Sequence, residues 1–463
     1  MNLLFDFLKN LGEPELARLA VLKSRGNVQQ VWQLINLQVK EGAFSKDKLL
    51  KDAGISAAHL DKITSELLAK CYETLFGDDK IALLDLLSLR LPYLKHFYSE
   101  LTRQMKQVET ELTPERRYHF YVACFDLMQA NLPIAYRDEK VLKKLAAKSL
   151  SLFKGERKKH VALLVDCKLI INQTAKLFAA AEILAAKDTV EKKIDALGKL
   201  PETADEKLTF EYYWTKIYFY HAIEKFAECL ELSYTAAATL KKFKSEVNTL
   251  QVMRIDLRAA ELLYYLSKFE ESFITYKNVM RSPLLAKIPE RGYHTAKYLQ
   301  VCLVTDNIKE AEEILTRRKK AAGDQLEKLL APRDIFLFIK YYLFSGDYDD
   351  AFHFIQLGFE KNPKGQYFQY EVELRCLQTA YFFLTGQQEI AIEGCERHIK
   401  YLRSHGYGAS KSDYPHFYIL TKAIFDKKTS GQAFSVKQEK MLERYQKGSF
   451  ALYGKLLNRM LNS

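Results

Sequence analysis

The sequence predicts an all-α fold: an α-solenoid of antiparallel helix hairpins preceded by an N-terminal helical region. Three observations lead there. Glycine and proline are scarce, 19 and 10 in 463 residues, roughly half of average usage. Sandwiches and propellers need far more turn residues than that. Apolar residues recur at helical spacing along most of the chain, and no alternating run is flanked by Asn-Gly or Asp-Gly turns. Finally, one short pattern returns at a nearly constant period in the second half.

Composition bounds the function classes. The apolar fraction is 48%, with 28 Tyr and 28 Phe, enough for a large core. Basic residues (70) exceed acidic ones (58), giving a net charge of +12, and the two signs are interspersed. A pI near 9.0 permits nucleic acid or an anionic membrane as a partner without requiring either. The seven cysteines form no C-x-x-C pair and read as free buried thiols in a reducing compartment. The N-terminus has no basic segment followed by a long apolar one. The most apolar windows, 177–186 and 335–344, are interrupted by Glu182 and Lys340 and fall short of the roughly 20 residues a membrane helix needs. The expectation is a cytoplasmic protein with no membrane span.

Residues 1–90 form the first region. Val28, Val31, Trp32, Ile35 and Val39 make one apolar stripe, and Leu60, Ile63, Leu67, Leu68, Cys71 and Leu75 make another. Between them, residues 48–63 read as a helix-turn-helix, with Ala53-Gly54-Ile55-Ser56 as the turn and Leu60 and Ile63 facing inward. A DNA reader needs Arg, Asn or Gln on the outward face of its second helix. Ala57, Ala58, His59 and Asp61 stand there, and Asp61 would repel phosphate, so the competing reading is a structural hairpin.

Residues 91–204 read as degenerate helical hairpins. Thr113-Pro114-Glu115 is an N-cap followed by proline at the first helical position. An aromatic helix from Tyr118 breaks at Pro133 and a lysine-rich helix follows. From 140 to 160 the chain carries Lys140, Lys143, Lys144, Lys148, Lys154, Arg157, Lys158 and Lys159 against Glu156 alone. Lys140, Lys144 and Lys148 share one helix face. With Arg157 and Lys158 they form a basic patch that either tracks a phosphate backbone or simply faces solvent. A second basic cluster, Arg317 to Lys320, suits the negative end of a helix.

Residues 205–405 carry the repetition. Each unit has an aromatic-rich helix, a short polar turn, an anchor residue and a small residue three positions on. The anchors Phe226, Phe269, Ile308, Tyr348 and Gln388 lie 43, 39, 40 and 40 residues apart. In the fourth unit Tyr342, Gly346, Tyr348, Ala351, Gly358 and Pro363 fall at spacings of 4, 2, 3, 7 and 5. The fifth keeps Phe382, Gly386 and Ala391; the second keeps Phe269 and Tyr276, with Ser267 and Ser272 at the small positions. In these intervals the chain resembles the tetratricopeptide repeat family, and its pattern is similar to bacterial proteins of that class. The period near 40 exceeds the family's usual ~34. The resemblance implies a tetratricopeptide-like superhelix with a groove along its first helices, and it places Tyr348 and Ala351, with Phe269, in the buried hairpin junctions. Residues 406–463 read as a loop followed by an amphipathic capping helix, 438–461.

No catalytic, cofactor or metal signature is present, so the expected function is non-enzymatic. His405 to Ser412 lacks two of the glycines a phosphate-binding loop needs, and Asp347, Asp349 and Asp350 read as helix capping. A stack of hairpins exposes a long concave face built from the first helix of each unit. Those helices are rich in tyrosine, a residue enriched at interfaces: Tyr212, Tyr213, Tyr218, Tyr220, Tyr264, Tyr265, Tyr293, Tyr298, Tyr341, Tyr342, Tyr367, Tyr370 and Tyr381. The expected partner is a protein or an acidic, extended peptide, contacted by Tyr213, Tyr220, Arg258, Tyr298, Lys340, Tyr341 and Arg375. The alternative is a nucleic-acid-associated regulator using the stretch 140–160 or the hairpin 48–63.

Overall fold

Side-chain caps start many of the helices. Ser45 accepts from Lys48 N (3.3 Å), Ser56 from His59 N (3.3 Å), Asp205 from Leu208 N (2.8 Å) and Ser245 from Asn248 N (2.9 Å), each satisfying an amide that the helix leaves free. The computed structural model describes the chain except residues 1–2, 10, 12, 21, 23–25, 42–43, 78, 89–93, 289–290, 324–325, 331, 363–367 and 406–413. Pro363, Tyr367 and most of the expected loop after Ser404 therefore lie outside the described residues. Well over half of the described residues are helical and none lies in a strand. None of the described helices is long and apolar enough to cross a membrane. The chain divides into two compact units, Met1–Pro201 and Glu202–Ser463.

The first unit contains α1 (Leu3–Lys9), α2 (Glu13–Leu19), α3 (Gly26–Glu41), α4 (Lys46–Ala53), α5 (Ala57–Phe76), α6 (Lys80–Ser88), α7 (Leu94–Glu111), α8 (Pro114–Asn131), α9 (Glu139–Ser151), α10 (Gly155–Ala179) and α11 (Lys187–Ala196). α1, α2 and α3 pack on α5, α4 packs on α3, and α6 joins α7 and α8. One apolar core runs from Leu4 to Val165, so residues on both sides of position 90 share it. Gly54, with φ of 63°, makes the turn between α4 and α5.

The second unit contains α12 (Glu206–Ala222), α13 (Phe226–Leu240), α14 (Glu246–Tyr265), α15 (Phe269–Met280), α16 (Arg291–Val304), α17 (Ile308–Ala322), α18 (Leu326–Leu329), α19 (Pro332–Ser345), α20 (Tyr348–Glu360), α21 (Phe368–Leu384), α22 (Gln388–Ser404), α23 (Tyr414–Ser430), α24 (Val436–Tyr445) and α25 (Ala451–Asn462). Five hairpins follow one another: α12–α13, α14–α15, α16–α17, α19–α20 and α21–α22. Each second helix also packs on the next first helix, and the first helices α12, α14, α16, α19, α21 and α23 touch in sequence.

All five hairpins turn in the same way. The residue two before each anchor has left-handed φ: Glu224 61°, Ser267 62°, Asp306 58°, Gly346 86° and Gly386 81°. The following N–H bonds back to the carbonyl five residues earlier. Lys225 donates to Tyr220 (2.9 Å), Lys268 to Leu263 (2.9 Å), Asn307 to Cys302 (2.8 Å), Asp347 to Tyr342 (3.1 Å) and Gln387 to Phe382 (2.8 Å). This is the Schellman helix ending. The small residues three past the anchors, Cys229, Ser272, Ala311, Ala351 and Ala391, are all buried. Gly358 matters for the same closeness: a Cβ there would stand 2.9 Å from Leu374 Cδ1 of α21.

Two expectations need correction. Tyr348 and Phe269 are half-buried rather than buried, because the anchor opens the second helix at the hairpin tip and keeps one edge in solvent. The C-terminal region is not a loop and one capping helix. α23 continues the row of first helices, and residues 438–461 break into α24 and α25 around Gly448, whose φ is 56°. α25 does not close the end of the row. It packs on α16, α21 and α23, and the turn before it packs on α14.

The shared turn has opposite consequences at different units. Gly346→Ala should lower stability by roughly 1–2 kcal/mol, the cost of a Cβ in left-handed geometry, whereas Glu224→Gly should not lower it. Ala351→Leu should cost about 1–3 kcal/mol by overpacking. Urea midpoints followed by far-UV circular dichroism check all three, and equal losses in Gly346→Ala and Glu224→Gly would contradict the common turn.

Candidate functional site

The first helices of the second unit carry charge on one side. On α14, Arg254, Arg258, Glu261 and Tyr265 recur at helical spacing, as do Tyr293 and Lys297 on α16, and each set falls on one stripe. Phe210 and Trp214 of α12 stack at 5.5 Å, with the Arg254 guanidinium 5.0 Å and that of Arg258 5.8 Å from the indole. Arg258 Nη1 lies 3.3 Å from His221 Nε2 and donates to Glu261 Oε2 at 2.5 Å. Glu261 is fully buried. Its other oxygen accepts from Tyr265 Oη at 3.0 Å and from Tyr293 Oη. Lys297 Nζ then donates to Tyr265 Oη at 3.1 Å.

The ladder continues one helix further. Lys340 of α19, only 4% exposed, donates to Glu373 Oε1 of α21 at 2.6 Å. Tyr453 of α25 donates to the same oxygen at 3.0 Å. A cavity of about 240 Å³ separates the two halves, with Lys297, Gln300, Phe336 and Lys340 on its walls.

Charge neutralisation sets the protonation states. Burial pushes the Glu261 carboxyl up, but Arg258, Lys297, His221 and the Tyr293 hydroxyl outweigh it and hold the group at about 2. Burial and the neighbouring Arg258 push His221 down to about 4, so its ring is neutral at pH 7. Burial lowers Lys297; Glu261 opposes that shift and Lys340 adds to it.

α25 lies against this layer. Leu452, Leu456, Leu457 and Met460 are buried in the core. Lys455 Nζ donates to Val304 O at the end of α16 (2.8 Å) and pairs with Asp306 at 2.5 Å. Arg459 Nη1 donates to Leu343 O in the last turn of α19 (2.6 Å). Cations at helix C-termini are favourable. Gly448 N also donates to Ser267 Oγ (3.0 Å). A Cβ at Gly454 would fall 2.2 Å from Tyr445 O, so α24 and α25 meet backbone to backbone.

Of the seven partner residues expected from sequence, Arg258 and Lys340 lie on this ladder and the others do not. Tyr298 packs against Tyr276 and Phe273 of α15, at 5.8 and 5.9 Å, and lines a separate cavity with residues of α16 and α17. Tyr213 lies edge-on to Tyr212 (5.4 Å), Tyr220 sits under Lys225 (5.3 Å), and Tyr341 lies against Tyr342 (5.2 Å). Arg375 is bound by Glu371 (2.5 and 2.8 Å) and lies 3.2 Å from His398 Nε2, in a separate cavity between α21 and α22. Of the tyrosines singled out, Tyr265 and Tyr293 join the ladder through their hydroxyls. The layer is therefore ionic rather than tyrosine-lined. Sequence reading missed Glu261, Glu373 and Arg254; their spacing on successive first helices was the available signal.

The basic patch is partly neutralised. Lys148 pairs with Glu109, and Arg157 lies 3.9 Å from Glu115. Lys140, Lys144, Lys154 and Lys158 are exposed and pair with no described carboxylate. Arg317 pairs with Glu313 (3.8 Å) and Arg318 with Asp334. In the hairpin 48–63, Leu49, Ala53, Leu60 and Ile63 are buried. Ala57, Ala58, His59 and Asp61 face out, with Asp61 held by Lys46 at 3.4 Å. The seven cysteines are buried and form no disulfide. No family model matches the chain, and no curated protein or solved structure does.

Glu261 predicts a pH signature. Its folded-state pKa is depressed from 4.5 to about 2, so its stabilisation is present above pH 4.5 and disappears as pH falls toward 2. Glu261→Gln should cost about 3 kcal/mol at pH 7, and the deficit should shrink across that acid range. Trp214 fluorescence during urea unfolding, in a Trp32→Phe background, reports it; a variant as stable as the parent at pH 7 would show that the ladder is not structural.

Proposed function

We propose that residues 205–405 form a tetratricopeptide-like solenoid, and that the protein is a non-enzymatic scaffold holding a protein or peptide partner on its layer of first helices. One observation carries this reading: the layer already takes a helix. α25 is seated by four apolar side chains and by Lys455 and Arg459 at the ends of two successive first helices. A face that accepts an amphipathic helix of its own chain has the polarity and relief to accept another. Trp214, half-buried beneath Arg254, continues the layer onto α12. Aromatic and arginine side chains of that kind are the usual anchors of interfaces.

The test is a photo-crosslinking amino acid placed at position 214, with Tyr234, exposed on α13, as the control position. In the native cell, position 214 should give one discrete, nuclease-resistant protein adduct and position 234 none. No adduct at 214, or equal adducts at both, would defeat the reading. The second reading, a nucleic-acid-associated regulator, is favoured by the unpaired Lys140, Lys144, Lys154 and Lys158. It predicts salt-sensitive binding to duplex DNA or RNA, weakened when Lys140, Lys144 and Lys158 are changed together to alanine; gel-shift titrations decide it.

A further inference from the structure

In the first unit, a cavity of about 660 Å³ lies among α1, α5, α6 and α7. One stripe of α7, His96, Glu100 and Gln104, supplies its polar wall. Leu4, Leu68, Leu83 and Tyr72 supply an apolar and aromatic one. Tyr72 is itself held edge-on to Phe7 at 5.2 Å, and its ring lies 5.6 Å from the imidazole of His96. Nothing in the ladder or the basic patch involves these residues.

Hydrogen bonding on the polar wall is unbalanced. Glu100, 7% exposed, accepts from Arg103 Nε (3.0 and 3.2 Å), Arg103 Nη2 (2.5 Å) and Gln104 Nε2 (2.6 Å). Those bonds hold it ionised: burial raises its pKa, and Arg103 and Gln104 bring it below the ordinary carboxylate value. Gln104 is 4% exposed. Its amide nitrogen is engaged by Glu100, and its Oε1 has no partner; neither has the buried His96 Nε2. Burial lowers the pKa of His96 and Glu100 only partly opposes this. The ring is therefore neutral at pH 7 and able to accept through Nε2.

A buried acceptor without a donor is costly, and two of them flank Glu100, one helical turn on either side. The charged side chains around the cavity are Glu73, Asp79 and Glu100 against Lys80 and Arg103, so acid is in excess. Lys80 is turned to Glu111 at 2.7 Å. A ligand matched to these walls donates hydrogen bonds, carries positive charge and presents an apolar body to Leu68, Leu83 and Tyr72.

We propose that this cavity binds a small aliphatic amine. The ammonium donates to Gln104 Oε1 beside the Glu100 carboxylate, the alkyl chain lies along the apolar wall, and a second donor on the ligand, where it has one, reaches His96 Nε2. A free amine and the lysine side chain of another protein offer the same group.

Calorimetric titration of the full chain separates the outcomes. Butylammonium and putrescine should bind saturably, putrescine more tightly; butanol and butyrate should not bind. Gln104→Leu should weaken butylammonium by about tenfold or more, and His96→Phe should remove only the advantage of putrescine. Ala69→Trp, at an exposed position on the cavity wall, leaves every acceptor in place and should block both amines, which guards against a misfolded Gln104 variant. A blocked lysine tetrapeptide that binds like butylammonium identifies a protein side chain as the source; its exclusion identifies a free amine. Butanol binding as tightly as butylammonium, or Ala69→Trp binding like the parent, would overturn the proposal.

Discussion

Each hairpin of the second unit reverses through one residue held in left-handed geometry, and much of that unit's arrangement follows from it. The turn has a fixed length: the second helix begins two residues after the left-handed one in all five cases. A fixed length imposes a fixed phase, so the side chain three past the anchor always faces the first helix at close range. Only small residues fit there. Where they are polar they bond across the gap, Cys229 Sγ to Ile217 O at 3.2 Å and Ser272 Oγ to Ala260 O at 2.7 Å. Those two contacts occupy equivalent places in successive units. Helices brought this close make a thin pair that cannot bury both faces alone, which is why the next first helix must pack on it.

The turn chemistry was legible in the sequence at Gly346 and Gly386, where glycine marks the left-handed position directly. At Glu224, Ser267 and Asp306 no residue type reveals it, and only the alignment of anchors carried the register through. The ladder was not legible, for a different reason. Glu261 and Glu373 sit in helices of mixed charge, where a single acidic residue carries no sign of burial. Their burial depends on what the neighbouring first helix contributes, and a single helix does not encode that. Tyr293 and Tyr298 show how fine the distinction is: five residues apart on α16, they leave the helix on different sides. One bonds Glu261 and the other packs on α15. α23 was hidden by the Gly- and Ser-rich segment before it, and the break at Gly448 by an apolar pattern that continues across it.

The two sides of a hairpin thus meet different needs. The side toward the second helices is closed by apolar and aromatic contact, as with Tyr276 and Tyr298. Such contact is strong and non-directional. The side along the first helices carries Arg258, Glu261, Lys340 and Glu373, each with a specific partner. A buried ion pair contributes little net stability, but removing one member leaves a charge without compensation. The ladder therefore penalises any slip of one first helix against the next more than it rewards the correct position.

α25 exploits both properties. Leu456, Leu457 and Met460 would adhere to many apolar surfaces, in either direction and at several registers. Lys455 and Arg459 remove that freedom. They stand four residues apart, about 6 Å along a helix, whereas adjacent helices lie roughly 8–10 Å apart. Long, flexible basic side chains can bridge the difference and reach the carbonyl ends of α16 and α19 together. A helix with its direction reversed would present the same charges on the wrong side of its apolar stripe. Apolar area holds α25 on the layer, and the exposed carbonyl ends of the first helices decide how it lies. Any other helix seated on that layer faces the same two conditions: an apolar stripe for adhesion, and basic residues one turn apart to meet successive helix ends.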